Sequence, residues 1–150
     1  MAIPRAVFNQ INVVTGDVDP TVAFYELLGV AVEPLAPEWA AWAAHHRNAT
    51  VIDGGADFEV DSDVFAPHFN TGWSAGRTGV IVGFRVPARD DVDGAYDRLV
   101  GAGHRGMQPP FDAFWGARYA IVEDPAGNAV GIMSEVDPER RTPPPDPAGF

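Results

Sequence analysis

Two stretches of the chain alternate apolar and polar residues, and each is followed by a segment in which apolar residues recur at helical spacing. The first stretch, Val7–Val14, predicts a strand whose successive side chains face opposite sides of a sheet. A helix is predicted over about Pro20–Leu28. Asp19 is expected to cap its start and Gly29 to lie just past its end, because these residue types favour those positions.

The same order of signals returns in the second half of the chain. Val80–Val86 predicts a strand and about Val92–Val100 predicts a helix, with Asp91 at the cap position and Gly101 at the end. We interpret this recurrence as a weak internal repeat, in which two copies of one structural module share a single core.

Short strand-like runs follow each predicted helix. In the first half they are Gly29–Leu35, an ambiguous stretch Trp39–Ile52 and Asp57–Asp61, with a turn at Gly54-Gly55. In the second half they are a short piece near His104–Met107, then Ala117–Val122 and Ala129–Met133, with a turn over Asp124–Asn128. Each half therefore predicts the order β-α-β-β-β.

This element order predicts the α+β class, with two βαβββ modules forming a cup-shaped mixed sheet and helices on its outer face. We place the first module at residues 1–75, the second at 76–136 and a Pro-rich C-terminal tail at 137–150, all within one structural domain. The alanines of Trp39–Arg47 favour a helix, but its place in the repeat requires a strand, and we expect it to be extended. The tail from Thr142 is expected to be flexible or to lie along the surface.

Composition narrows the function. The 150 residues include no cysteine, which excludes disulfides, zinc–thiolate sites, iron–sulfur clusters and cysteine nucleophiles. The formal charge of −11 disfavours binding to nucleic acid or to anionic membranes and is compatible with a cationic small-molecule partner. The sequence shows neither a secretory signal nor a run of about 20 apolar residues, so we expect a soluble, cytoplasmic protein.

Two motifs, one in each half, carry a family resemblance. Asp17 to Gly29 reads DVDPTVAFYELLG, and Trp115 to Met133 reads WGARYAIVEDPAGNAVGIM. Both are similar to elements of the vicinal-oxygen-chelate superfamily, which contains glyoxalase I, bleomycin-resistance proteins and extradiol dioxygenases. The resemblance implies that two modules pair into a cup, and we expect a homodimer.

The resemblance also implies four positions for metal ligands. They fall on Gln10, Glu59, Ile81 and Gly131. Ile81 offers no donor atom and Gly131 has no side chain, so we expect neither a metal nor another cofactor. The alternative is a displaced divalent ion held by Gln10, Glu59 and either His45 or His46, since nitrogen and carboxylate donors suit such ions.

Strand alternation predicts which side chains line the cup. The predicted polar lining comes from the first module: Gln10, Asn12, Asp57, Glu59 and Asp61. The aromatic residues near the second motif add Phe114 and Trp115, and the resemblance implies that Trp115 edges the pocket. Arg118 is predicted either to hold an anionic ligand group or to pair with a carboxylate, and Tyr119 could donate a hydrogen bond.

These features predict a protein that binds or sequesters a small aromatic or cationic organic molecule without a metal, as antibiotic-resistance proteins of the superfamily do. No catalytic residue is assigned. The first alternative is a lyase, isomerase or dioxygenase with the displaced metal, in which Glu59 would be a ligand or a base. The second is a structural or interaction role in which the cup is inert.

Overall fold

The chain forms one mixed sheet flanked by two α-helices. The computed structural model describes residues 2–27, 30–49, 54–124 and 127–147. Within them the strands are β1 (Val7–Thr15), β2 (His46–Asn48), β3 (Asp57–Ser62), β4 (Gly79–Arg85), β5 (Gly106–Asp112), β6 (Arg118–Glu123) and β7 (Ala129–Met133). The α-helices are α1 (Val18–Leu27) and α2 (Arg89–Gly101), and short 3-10 helices lie at Pro37–Trp42, Ala66–His68 and Pro138–Arg140.

The strand order β2-β3-β1-β4-β7-β6-β5 joins the two halves of the chain at the centre of the sheet. There β1 runs antiparallel to β4, while β1 is parallel to β3 and β4 is parallel to β7. The two halves therefore have related strand arrangements around the β1–β4 pair. The predicted α+β class and mixed sheet are confirmed.

The helices cover one face of this sheet. In the first half α1 packs Val18 and Val22 against Val60 of β3. In the second half Val92 of α2 lies among apolar side chains of β6 and β7, including Ile132. Because alternate residues of a strand face opposite sides, the residues between these core positions face away from the helices.

The helix starts differ slightly from those predicted. The helix α1 begins at Val18, so Asp19 lies inside its first turn, and the predicted end at Gly29 falls outside the described residues. The helix α2 begins at Arg89, and the carboxylate of Asp91 accepts a hydrogen bond from the Ala88 backbone N–H at 3.0 Å. Asp91 therefore satisfies a free donor at the helix start from within the first turn.

The ambiguous segment is the main correction to the predicted fold. Pro37–Trp42 forms a 3-10 helix instead of a strand, and only from His46 is the chain extended, as β2. Trp42 is fully buried, which anchors the 3-10 helix in the core. Of the strand predicted at Gly29–Leu35, the described residues 30–35 form one bridge, between Val32 and Ala49.

The turn before β7 matches its prediction at the described residues. The Asp124 carboxylate accepts a hydrogen bond from the Asn128 backbone N–H at 2.8 Å, and Gly127 has a φ of 87°, which glycine adopts without strain. The predicted turn residue Pro125 lies outside the described residues.

The C-terminal tail lies along the protein. Residues Arg141–Pro145, here called the C-terminal strap, form hydrogen bonds with Phe114, Trp42 and Trp115, the last from the Arg141 guanidinium to the Trp115 carbonyl at 3.3 Å. The Thr142 backbone N–H donates to the Phe114 carbonyl at 2.9 Å, and the indole N–H of Trp42 donates to the Pro145 carbonyl at 2.7 Å. No helix among the described residues is long and apolar enough to cross a membrane.

Candidate functional site

A cavity of about 850 Å³ opens on the face of the sheet opposite the helices. Its polar side is formed by β1, β2 and β3, and carries Gln10, Asn12, His46, Asp57, Glu59 and Asp61. Its aromatic side carries Trp39, Phe65, Phe69, Phe114, Trp115 and Tyr119. The structure thus brings together every residue predicted to line the cup except Arg118.

A chain of hydrogen bonds orders the polar side. The Gln10 side-chain amide donates to the Asn12 carbonyl oxygen at 2.8 Å. The Asn12 amide nitrogen in turn donates to Glu59 at 2.8 Å and to Asp61 at 3.0 Å. One asparagine therefore holds two carboxylates side by side and neutralises neither of them.

A buried His–Asp pair completes this polar side. Nδ1 of His46 lies 2.6 Å from a carboxylate oxygen of Asp61, whose side chain is 1% exposed. The two residues are direct cross-strand partners on β2 and β3. Burial lowers the pKa of His46, but the charge and hydrogen bond of Asp61, together with the charge of Glu59 and a hydrogen bond with Asn48, outweigh burial, so the pKa of His46 is raised.

Glu59 accepts a hydrogen bond from Asn12 but forms no direct ion pair with any of the described residues. Burial raises the pKa of Glu59 to about 7; His46 opposes this rise, while Asp61 and Asp57 add to it. Burial also raises the pKa of Asp57, with Arg85 acting in the opposite direction. A cation entering the cavity would relieve the repulsion among these carboxyl groups.

The aromatic side is a set of rings in edge-to-face and tilted contact. The rings of Phe114 and Trp115 lie 5.0 Å apart at 87°, and those of Trp115 and Tyr119 lie 5.2 Å apart at 70°. The Trp39 ring is in tilted contact with the His46 ring of the polar side, with the ring centroids 4.6 Å apart. Such contacts stiffen the rings and present flat apolar surface to a ligand.

Two glycines on the second half of the sheet make room for neighbouring side chains. A β-carbon at Gly131 would lie 2.7 Å from the Tyr119 hydroxyl, and one at Gly83 would lie 3.0 Å from the Gln10 β-carbon. The side chains of Tyr119 and Gln10 therefore occupy the space that larger side chains at positions 131 and 83 would need.

Arg118 is not placed in the cavity. Its guanidinium donates to both carboxylate oxygens of Asp93 on α2, at 2.6 and 2.9 Å, and also lies 3.3 Å from Asp112. Of the two roles predicted for Arg118, the structure shows the second, in which Arg118 forms an ion pair with a carboxylate of the protein.

The sequence did not predict three features of the cavity. It did not indicate that His46 would pair with Asp61 or that Trp39 would line the cavity, because the segment before β2 was expected to be a strand. It also did not indicate that the strap would form part of the wall, with Arg141, Thr142, Pro143 and Pro144 lining the cavity. The indole N–H of Trp42 donates to the Pro145 carbonyl of the strap, a contact that the sequence alone does not indicate.

The comparisons with known proteins agree with this architecture. A model of the Glyoxalase/Bleomycin resistance protein/Dioxygenase superfamily matches residues 7–132. The chain belongs to this superfamily. Among curated proteins, none matches the sequence.

Several solved structures share the fold at low sequence identity. An extradiol ring-cleaving dioxygenase from B. fuscum is 17% identical with a TM-score of 0.62, over 90% of this chain and 34% of that one. The Mn(II)-bound glyoxalase from Novosphingobium aromaticivorans is 17% identical with a TM-score of 0.57, over 89% and 40%. A structure described as the NAD-dependent benzaldehyde dehydrogenase from Legionella pneumophila is 16% identical with a TM-score of 0.58, over 84% and 97%. These likenesses show the fold alone.

The four positions that the family resemblance implied for metal ligands carry Gln10, Glu59, Ile81 and Gly131. Ile81 is fully buried and apolar, and the Tyr119 hydroxyl covers Gly131. Gln10 uses its amide nitrogen to hold Asn12, and Glu59 is left as the single carboxylate of the set. Two of the four positions therefore offer no ligand atom.

A different group of donors does lie together in this superfamily member. Ligand atoms of His46, Glu59 and Asp61 are all within 4.8 Å of one another. The sequence-based alternative included Gln10 and left the choice of histidine open. The structure brings His46 to this group and turns His45 toward Ser62, 2.9 Å from its hydroxyl.

Proposed function

We propose that this protein binds and sequesters a small aromatic organic molecule that carries a positive charge, without using a metal. The observation that carries the proposal is the pairing of a carboxylate-rich side and an aromatic side across one cavity. A volume of about 850 Å³ suits a drug-sized ligand.

The charge of the lining supports a cationic ligand. The described lining residues include five carboxyl groups, those of Glu33, Glu38, Asp57, Glu59 and Asp61, whereas their basic groups are the Arg141 guanidinium and the His46 imidazole. His46 is already paired with Asp61. A cation beside Glu59 would therefore gain attraction without displacing an existing ion pair, and it would stabilise the ionised form of that carboxyl group.

The aromatic side supports a flat ligand. Trp115 and Phe114 present ring surface that can stack on a planar molecule, and a ring face also attracts a cation by about 0.5–2 kcal/mol. Binding alone is sufficient for sequestration, so this function requires no nucleophile or base.

The proposal is tested with two planar probes that differ in charge, 9-aminoacridine as the cation and acridine as its uncharged counterpart at pH 8. Isothermal titration of chelator-treated protein should show tighter binding of 9-aminoacridine. Glu59→Gln should weaken that preference, and Trp115→Ala should weaken both probes.

Matched control variants separate effects at the cavity from effects of the net charge or of losing an aromatic ring elsewhere. Asp97→Asn on the exposed surface of α2 changes the net charge as Glu59→Gln does, and Phe8→Ala removes an exposed ring outside the cavity. Both should bind like the wild type. Equal affinity for the two probes, or equal losses in Asp97→Asn and Glu59→Gln, would contradict the proposal.

A second candidate is a metal-dependent lyase, isomerase or dioxygenase, favoured by the cluster of His46, Glu59 and Asp61. A divalent ion held there would supply Lewis-acid chemistry at a substrate oxygen. The metal content of untagged protein, together with thermal shifts in Ni²⁺, Zn²⁺, Mn²⁺ and Fe²⁺, tests this candidate. A stoichiometric ion that is lost in His46→Gln and kept in His45→Gln would favour the enzyme over the binding protein.

A homodimer and a cytoplasmic location stay predictions. The residues of one chain contribute both sides of the described cavity. Sedimentation equilibrium, with and without 9-aminoacridine, measures whether a dimer forms and whether ligand binding depends on it.

A further inference from the structure

The hydroxyl group of Tyr119 is a polar group inside the cavity that the proposed function does not yet use. Tyr119 lines the cavity and is 8% exposed. Its hydroxyl makes no hydrogen bond to any of the described residues, and it is not among their fully buried polar atoms, so it is accessible from the cavity. This hydroxyl is therefore available to donate a hydrogen bond to a ligand that enters the cavity.

The surroundings of Tyr119 fix where its hydroxyl lies. The ring is in edge-to-face contact with Phe69, Phe111 and Trp115, at centroid distances of 6.5, 6.2 and 5.2 Å. The hydroxyl lies over Gly131, where a β-carbon would be 2.7 Å away. The ring has little freedom to move, so the hydroxyl is held in place before a ligand arrives.

The nearby charges decide what this hydroxyl can bind. Burial raises the pKa of Tyr119, and the negative charges of Glu59 and Asp61 raise it further, so the group remains a hydrogen-bond donor. Those same carboxylates disfavour an anionic acceptor. A neutral carbonyl oxygen suits the position, because it accepts a hydrogen bond and carries no net charge.

We propose that the Tyr119 hydroxyl is a ligand-binding subsite that donates a hydrogen bond to a neutral carbonyl oxygen on the aromatic ring of the ligand. This inference rests on the proposed function and narrows it to aromatic cations that also bear a ketone or a related acceptor. The cation would lie toward Glu59, the ring against Trp115, and the acceptor toward Gly131.

Three probes of nearly equal shape separate the contribution of the carbonyl group to binding affinity from that of the cation. The first is 4-acetyl-N,N-dimethylbenzylamine, which has both the carbonyl group and the cation. The second is 4-isopropyl-N,N-dimethylbenzylamine, which keeps the cation but has an isopropyl group in place of the acetyl group. The third is 4-isobutylacetophenone, which keeps the acetyl group but has an uncharged isobutyl group in place of the dimethylaminomethyl cation. Affinities are measured by isothermal titration or by ligand-detected NMR on the full chain at pH 8.

In the wild type the first probe should bind about three- to tenfold more tightly than the second, as expected for one neutral hydrogen bond. Tyr119→Phe should abolish this ratio while keeping the preference for the first probe over the third. Tyr96→Phe, which removes a hydroxyl group on the helix side of the sheet, should leave both ratios unchanged. Gly131→Ala, whose new methyl group would push the Tyr119 hydroxyl aside, should also abolish the carbonyl preference.

Each result distinguishes the two proposals. Equal binding of the first and second probes, with a retained preference for the cation, would overturn the Tyr119 subsite and leave the proposed function standing. If the first and third probes, which both carry the ketone, bind equally well and both depend on Tyr119, the Tyr119 subsite is supported and the proposal of a cationic ligand is contradicted. Binding of none of the probes would count against both. If thermal melting shows that Tyr119→Phe is unfolded, Gly131→Ala decides the outcome.

Discussion

The Tyr119 hydroxyl lies 2.7 Å from the position that a β-carbon on residue 131 would occupy, so Tyr119 and Gly131 depend on each other for space. We predict that Gly131→Ala lowers stability by about 1–3 kcal/mol, the usual cost of overpacking a rigid core. In the double variant Gly131→Ala/Tyr119→Phe part of this loss should be recovered, because the closest atom is removed. Ring carbons at 3.1 and 3.2 Å would still oppose full recovery.

Denaturant unfolding of the two single variants and the double variant measures the coupling. Additive losses would show that residues 119 and 131 do not share one volume. Gly101→Ala is a suitable control, because nothing lies within 4 Å of its added β-carbon.

Glu59→Gln should stabilise the metal-free protein at pH 8 while weakening cation binding. The folded-state pKa of Glu59 is about 7, above its ordinary value, so the wild type loses stability as pH rises from about 4.5 through 7. The glutamine variant avoids this loss. We expect the free energy of unfolding to rise by about 1–2 kcal/mol above pH 7 in Glu59→Gln. This is less than the free energy that corresponds to the whole pKa shift of Glu59, because the Glu59 side chain is partly open to the cavity.

Urea unfolding of chelator-treated protein at pH 5 and pH 8 checks the sign. The stability difference between Glu59→Gln and the wild type should be larger at pH 8. Asp97→Asn should show no such increase, and a difference that is larger at pH 5 would contradict the assignment.

Replacing the Thr142 backbone donor should loosen the C-terminal strap. Thr142→Pro removes the N–H that donates to the Phe114 carbonyl and leaves the Trp42–Pro145 hydrogen bond available. Losing one such bond costs about 1 kcal/mol. We expect ligand dissociation to accelerate by about five- to tenfold, measured by stopped-flow fluorescence with 9-aminoacridine. Thr142→Ala keeps the N–H and should dissociate like the wild type.

Arg118→Met should reduce stability without changing ligand affinity, because Arg118 binds Asp93 and lies outside the cavity. We expect a loss of about 1 kcal/mol at pH 7. Hydrogen bonds from Arg118 lower the pKa of Asp93, so this contribution is present above the ordinary carboxyl pKa and disappears as pH falls through the lowered value.

Thermal melting of Arg118→Met from pH 7 down to pH 2.5 follows this dependence, with Arg98→Met on the exposed side of α2 as the charge-matched control. A large loss of 9-aminoacridine affinity in Arg118→Met would instead assign Arg118 to ligand binding.

Local patterns were enough to predict the sheet, the helices and much of the polar side of the cup. Alternation along β1 and β3 placed Gln10, Asn12, Asp57, Glu59 and Asp61 on the cavity face, because a strand repeats every two residues. No partner strand has to be known for that step.

Features that depend on register between strands could not be predicted in the same way. The His46–Asp61 pair requires β2 to lie directly opposite β3, and the segment before β2 was expected to be extended. The placement of Tyr119 over Gly131 likewise depends on how β6 pairs with β7. A single sequence carries no measure of either register.

The C-terminal strap gives the cavity a wall that belongs to none of the seven described strands and neither α-helix. Thr142, Pro143 and Pro144 face the ligand space, yet their side chains are free of the alternation and core packing that constrain strand residues. Mutations there can change the shape of the cavity at little cost to the sheet. The strap is therefore the segment through which evolution, or a protein engineer, could most readily shift this scaffold from one ligand to another.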